Sequence, residues 1–293
     1  MRRPKTTMRR FLVATLLILC ALPATANAAR RPVVGVGDNH PEVFQDANMR
    51  KLPLATARLV IPWDWYKDDF QIFRADNWLT AVRQAHMKPL VAFNRNWGRK
   101  GRRQVPSVKA YLRGFREFRQ RWPHVREFSA WNEPNAVEQP LYRKPAKAAR
   151  FFNALRRACR RCTIIAGDVK DGSTMVPYLR AYKKRVRGAK IWALHNYKDA
   201  TRKRGGTADF LHTVRGAVWL TETGGLRNRG GLKGQARAVT RIFKLAKQSR
   251  RIKRIYFYQW RFDPRSHWDS AFIARNGKRR PAYFALRKGL RRR

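Results

Sequence analysis

Carboxylates are scarce in this 293-residue chain: 18 Asp and Glu stand against 67 Lys and Arg, a formal charge of +49. So cationic a surface attracts polyanions, and it makes every carboxylate worth tracing. Cysteine is scarcer still, at three, too few for a disulfide scaffold or a four-ligand zinc site. Past the N-terminus no apolar run reaches the roughly 20 residues that a bilayer span needs. The six His show neither H-E-x-x-H nor facial-triad spacing, so no catalytic metal is expected. The dinucleotide fingerprint is missing too, because Gly35-Val36-Gly37 is followed by His40 where a third glycine belongs. No cofactor is expected. What the chain does have is 44% hydrophobic and 12% aromatic content, with ten Trp. That excludes a disordered basic tail and leaves a globular protein of one or two domains.

Residues 1–28 read as a secretory signal. Arg2, Arg3, Lys5, Arg9 and Arg10 precede an apolar core over 11–22, and Ala26-Asn27-Ala28 is a small-x-small cleavage site. An uncleaved anchor is the alternative, disfavoured by the short core. Removal takes away five basic residues and no acidic one, leaving a mature chain, 29–293, at +44. Its two cysteines, Cys159 and Cys162, form a C-x-x-C pair. In an oxidising compartment they can close a small structural disulfide or stay free, and no thioredoxin-like context suggests a redox role.

Short β-rich apolar runs recur at 33–36, 57–61, 89–93, 127–131, 163–166, 190–194, 217–221 and 254–258. Each has the length of a buried parallel strand. Helix-like segments lie between them: 78–86 with Asn77 or Asp76 as N-cap, 108–121 after Pro106-Ser107, then 144–157, 175–186 and 235–248. Strand then helix, about eight times over, is the arithmetic of a single-domain α/β fold, the (β/α)8 TIM barrel. An open doubly wound sheet is the runner-up.

Barrel enzymes place their chemistry at the C-terminal ends of the strands. The chain has six Glu, at 42, 117, 127, 133, 138 and 222, and two of them fall there. The fourth run ends Trp131-Asn132-Glu133-Pro134-Asn135, and the seventh ends Thr221-Glu222-Thr223-Gly224-Gly225. Two carboxylates three βα units apart would face each other across the barrel mouth, as glycosidic bond cleavage requires.

Together these motifs resemble the retaining glycoside hydrolases of clan A, of the cellulase-like family 5 and family 39 type, over essentially the whole mature chain. Arg58 in T-A-R-L matches that clan's strand-2 arginine, His195-Asn196-Tyr197 its strand-6 H-x-Y, and Trp260 its strand-8 tryptophan. Asn276-Gly277 through Pro281-Ala282-Tyr283 resembles its closing loop and last helix. The resemblance implies a secreted β-glycosidase or endo-β-glycanase with Glu133 as acid/base and Glu222 as nucleophile. It implies that Asn132 binds the sugar 2-hydroxyl, that Tyr197 and Arg58 hold Glu222 ionised, and that Trp260 lies under the reacting sugar. Strand 3 departs from the pattern, ending Phe93-Asn94-Arg95-Asn96-Trp97 where many cellulase-like members carry a histidine. Asn94 and Trp63 are counted with the substrate-binding residues. Glu133 has no cationic partner in its motif and sits beside Trp131, so its carboxyl is expected to titrate high.

Other residues have plainer readings beside the functional ones. Trp63, Trp65, Trp97, Trp131 and Trp268 fall near strand ends, where they can stack on sugars or merely pack loops. His195 could be a core histidine, but Tyr197 two residues on favours the site. Asp168 after strand 5 lines the cleft or serves structural hydrogen bonds. Asp38 and His40 after strand 1 are candidate substrate contacts, Glu138 a rim charge, and Glu127 a strand start. The +44 charge suits an acidic polysaccharide or retention on an anionic wall; it equally suits outer helices carrying a compositional bias. The expected protein is an extracellular or wall-associated monomer acting on carbohydrate, with no specific nucleic-acid partner and no stable membrane insertion. A barrel that only grips an anionic glycan is the alternative.

Overall fold

The structure, a computed structural model, describes residues 31–202, 205–264 and 268–291. The leader expected at 1–28, His267 and the last two arginines lie outside the described residues. Eight parallel strands close into a barrel in sequence order. They are β1 (Val33–Gly37), β2 (Thr56–Pro62), β3 (Lys88–Asn94), β4 (Glu127–Ser129), β5 (Thr163–Lys170), β6 (Ile191–His195), β7 (Ala217–Thr223) and β8 (Ile252–Tyr258). β8 closes on β1, with Val33 opposite Arg254 and Gly37 opposite Tyr258. Gly35 permits the tight β1–β2 approach, because a Cβ there would lie 2.0 Å from the Thr56 carbonyl oxygen.

All eight expected strands are present, since a strand covered on both sides is written as a short apolar run. The differences are at their ends. β4 stops at Ser129, two residues early, while β5 and β7 run on to Lys170 and Thr223. β5 has a register shift between Gly167 and Val169, and β7 has one between Leu220 and Thr223. Such bulges re-aim a side chain at a barrel rim; here the residues they re-aim include Asp168 and Glu222.

The helices are α1 (Ala47–Arg50), α2 (Asp69–Gln84), α3 (Val108–Arg121), α4 (Pro145–Ala158), α5 (Met175–Lys183), α6 (Tyr197–Arg202), α7 (Gly206–Thr213), α8 (Gly231–Lys247) and α9 (Pro281–Arg291). No described helix is long and apolar enough to cross a membrane. α3 has the expected bounds, and Ser107 caps it by accepting from the Ala110 amide at 3.1 Å. α2 starts earlier than expected, with Asp68 as its N-cap rather than Asn77 or Asp76. Exposed Phe70 and Phe73 blur its apolar stripe, and Asp76 instead binds Arg121 and the Trp122 indole. Cys159 and Cys162 are joined by a disulfide between α4 and β5.

The barrel interior is layered. At its N-terminal end Arg254 pairs with Glu127 and lies 3.8 Å from the centroid of the Trp219 ring. Glu127 is thus remote from the strand ends, as a strand-start residue should be. Leu90, Ile165, Ala193, Trp219 and Tyr256 form an apolar plug above it. The C-terminal end is polar, and the candidate site lies there.

Ser107→Ala should cost about 1 kcal/mol, the usual value of an N-cap hydroxyl. The check is a lower denaturation midpoint with an unchanged m-value.

Candidate active site

Four strands and the loop after β4 send polar side chains to one point at the C-terminal end of the barrel. Arg58 from β2 is 1% exposed, and Asp168 from β5 and His195 from β6 are fully buried. Glu222 comes from β7, and Glu133 from the loop after β4. Arg58 Nη1 donates to Glu222 Oε2 at 2.9 Å, and Nη2 donates to Asn132 Oδ1 at 2.6 Å and Asp168 Oδ2 at 3.0 Å. Tyr197 donates to Glu222 Oε1 at 3.1 Å. Both oxygens of Glu222 are therefore held, one by a cation and one by a phenol. His195 Nδ1 lies 2.9 Å from Glu133 Oε1 and 3.8 Å from Glu222 Oε2, so the two carboxylates converge on one ring nitrogen.

Asp168 binds this cluster from below. Besides Arg58 it accepts from Ser129 at 2.6 Å and from Thr221, and it meets His195 Nε2 at 3.0 Å. Its backbone carbonyl accepts from the Glu133 amide at 2.9 Å. Both residues sit in the left-handed region, Glu133 at φ 46° and Asp168 at φ 56°. That conformation is unfavourable for non-glycine residues, and more so for Glu133, which precedes Pro134. The Glu133–Asp168 hydrogen bond ties the two strained residues together.

The charges follow from these contacts. Burial pushes the Asp168 carboxyl up, but Arg58 and His195 outweigh it and hold it far below the usual carboxylate range. Burial pulls His195 down, and the surrounding Glu222, Asp168 and Glu133 raise it to about 9. An ionised Asp168 can only accept, so Nε2 carries a proton toward it. Nδ1 and Glu133 Oε1 then share one proton, and the pair titrates as a unit. The expectation for Glu133 is overturned. Burial does push its carboxyl up, but the His195 hydrogen bond and charge, then Lys170 and Arg58, hold it below its ordinary value. The cations come from β5, β6 and β2, so the local motif gave no sign of them. Lys170 stands 3.9 Å from Glu133 Oε2 and 3.2 Å from Glu138 Oε1, which makes Glu138 a rim residue.

The structure thus brings together Arg58, Asn132, Glu133, His195, Tyr197 and Glu222. It does not bring Trp260 to the site. Trp260 has no exposed surface and packs against Phe272 and Tyr283, so it cannot lie under a sugar. The strand-end aromatic is Tyr258, two residues earlier and only part-buried. Its hydroxyl is raised by burial and then by the nearby Glu222 charge. Trp63 is also buried, at 4% exposure, and offers no platform. Trp65 packs on Phe118 and Trp122, and Trp131 on Tyr111 and Phe151. Exposed Trp97 lies under Arg74, and part-buried Trp268 stands edge-on to Tyr197. Asn94 accepts from the Arg95 amide and so serves its own turn. Asp38 takes the His40 amide and ring on one oxygen and the Trp260 amide on the other, tying β1 to the loop after β8. Asp168 was legible as an acid just past the fifth apolar run; Tyr258 was masked by the tryptophan two residues on.

Known structures share this architecture. A family 39 glycoside hydrolase from Bacteroides cellulosilyticus WH2 superposes with a TM-score of 0.63 at 15% identity, over 89% of this chain and 64% of that one. A GH39 enzyme from Xanthomonas axonopodis pv. citri gives 0.65 at 14%, over 88% and 66%. A GH5_18 protein from Bifidobacterium longum subsp. infantis gives 0.65 at 16%, over 89% and 78%. The chain has the barrel fold of these glycoside hydrolases. It spans just under two thirds of the length of the two family 39 proteins. No protein-family model and no curated protein matches the sequence.

Asp168→Asn leaves two buried cations without their shared anion and should cost about 3–5 kcal/mol, the usual cost of breaking a buried pair. The pH dependence has a defined sign. His195 is raised in the fold, so its contribution is complete below its ordinary 6.5 and is lost as pH climbs through about 9. Glu133 is lowered, so its contribution is present above its ordinary 4.5 and is lost as pH falls through its folded value. Thermal midpoints should therefore be highest between those ordinary values and fall on the alkaline side. In the variant the alkaline fall should begin at lower pH.

Proposed function

We propose that this chain is an exported retaining glycoside hydrolase that cleaves β-glycosidic bonds, with Glu222 as nucleophile and Glu133 as acid/base. The observation that carries the reading is the convergence of two carboxylates from β7 and β4 on His195 Nδ1, at 3.8 and 2.9 Å, at the end of the barrel where such enzymes work. The barrel fold shared with glycoside hydrolases supports it. So does the division of labour between the carboxylates. Glu222, gripped by Arg58 and Tyr197, is aimed; Glu133, sharing a proton with His195, can both give and take one.

Glu222 attacks the anomeric carbon as Glu133 protonates the departing glycosidic oxygen. The C–O bond breaks, and the sugar is left as an ester of Glu222. Glu133, now a carboxylate, takes a proton from the water that opens the ester, and Glu222 is regenerated. Tyr197 and Arg58 receive the charge that returns to Glu222 in the second step. Retaining pairs lie about 5–5.5 Å apart and inverting pairs roughly 6.5–9.5 Å. The two oxygens can be no farther apart than their two distances to Nδ1 laid end to end, which admits the retaining spacing and leaves only the shortest inverting one. The basic n-region, apolar core and Ala26-Asn27-Ala28 of the leader support export, and the disulfide suits an oxidising compartment.

A reducing-end assay on neutral and acidic β-glycans and aryl β-glycosides tests the reading, with Glu222→Gln as control. The wild type should release reducing ends, and the variant should lose at least about 10³-fold, as removal of a nucleophile does. The anomer formed first, read by NMR, should keep the substrate's configuration. Glu133→Ala should slow poor leaving groups by about 10²–10⁴-fold; dinitrophenyl glycosides, which need no acid, should keep a fast first step and show a burst of dinitrophenolate, because opening of the ester then lacks its base. Glycan binding without release from any substrate would mark the chain as a binding barrel instead.

A further inference from the structure

The charge of the chain is spread over its whole length, but one cavity concentrates it beside the candidate nucleophile. This cavity of about 180 Å³ is walled on one side by α6 and on another by the loop after β7. Tyr197, whose hydroxyl holds Glu222 at 3.1 Å, forms part of its wall. Lys170, 3.9 Å from Glu133, forms another part. The cavity thus borders one residue that touches each carboxylate, Tyr197 for Glu222 and Lys170 for Glu133.

Lys198 and Arg202 lie one helical turn apart on α6, so both reach the same face. Arg229 approaches from the turn after β7. These three side chains are exposed, and among the described residues none forms an ion pair within 4.0 Å. One acid lines the cavity, Asp171. Its oxygens accept from the amides of Lys198 and Asp199 at 3.1 and 2.8 Å, and burial pushes its carboxyl up to about 6. That charge is therefore turned inward on the α6 backbone and is partly neutralised near that pH. The remaining wall is Thr201, Leu226 and an aromatic pair, in which Trp268 stands edge-on to Tyr197 with centroids 4.6 Å apart. An apolar ring wall with cations around it suits a sugar ring whose C–H face stacks while an anionic group is held at the rim.

We propose that this cavity is a subsite for a sugar residue bearing an anionic substituent, a carboxylate or a sulfate, next to the residue cleaved between Glu133 and Glu222. The inference rests on the glycosidase reading for the position of the cleaved bond. It does not follow from net charge, because it assigns recognition to Lys198, Arg202 and Arg229 and not to the surface as a whole. Lys170 stays with Glu133 and is left intact in the test.

The test is calorimetric titration of the full chain with cellotetraose, its C6-oxidised uronate form and its 6-O-sulfated form. The wild type should bind at least one anionic form about tenfold or more tightly than the neutral one, and the preferred form names the substituent. Raised salt should erode the preference, since the cations are exposed. The triple variant Lys198→Ala, Arg202→Ala, Arg229→Ala should abolish the preference while keeping the wild-type thermal midpoint. Equal binding of the three forms, or no binding of the anionic ones, overturns the proposal. So does a preference that survives in the triple variant, which would place recognition elsewhere on the cationic surface. The two readings fail separately. Neutral glycans cleaved without anionic preference remove only the subsite. Anionic preference with no release from any β-glycan removes only the hydrolase.

Discussion

The site depends on one buried carboxylate. Asp168 lies at the centre of the barrel with no exposed surface, and it faces Arg58, His195, Ser129 and Thr221. Arg58 and His195 are also without solvent, and a buried cation is tolerated only beside an anion. Through Arg58 the carboxylate sets the position of Glu222, and through His195 that of Glu133. Its backbone carbonyl fixes the amide of Glu133 as well. Both reacting groups are thus referred to one atom group on β5, so their separation does not depend on the exposed loops.

This arrangement stores local costs. Glu133 and Asp168 occupy left-handed backbone conformations, and Arg58 Nε has no hydrogen-bond partner among the described residues. Each is unfavourable alone. The ion pairs offset them, and beneath them the apolar plug from Leu90 to Tyr256 and the large outer core hold the strands in register. The bulges in β5 and β7 belong to the same device. They break strict alternation where two carboxylates must turn toward a common point.

The sequence showed the architecture plainly because a parallel barrel repeats one unit: a run buried on both faces, then an amphipathic helix. Eight such runs were readable without any long-range information. Helix starts were less legible where the apolar stripe was broken, as at Phe70 and Phe73 in α2. Among site residues, Glu133 and Glu222 stood out because acids are so rare in this chain, and Arg58, His195 and Tyr197 because their spacing matched a known pattern. Trp260 shows the limit of such matching. It is the right residue type near the right strand end, but two positions past it, and the side chain lies in the core.

What the amino-acid order determined by itself is the fold class, the strand ends where polar groups emerge, and which residues are chemically able to act. Tertiary structure alone decided their charges. The low-titrating Glu133, the cationic His195 and the ionised Asp168 arise from contacts between residues 27 to 110 positions apart. Electrostatic interaction falls with distance in space and grows with burial. Neither quantity is written in the local sequence, and both exist only once eight strands have closed the barrel around the same few side chains.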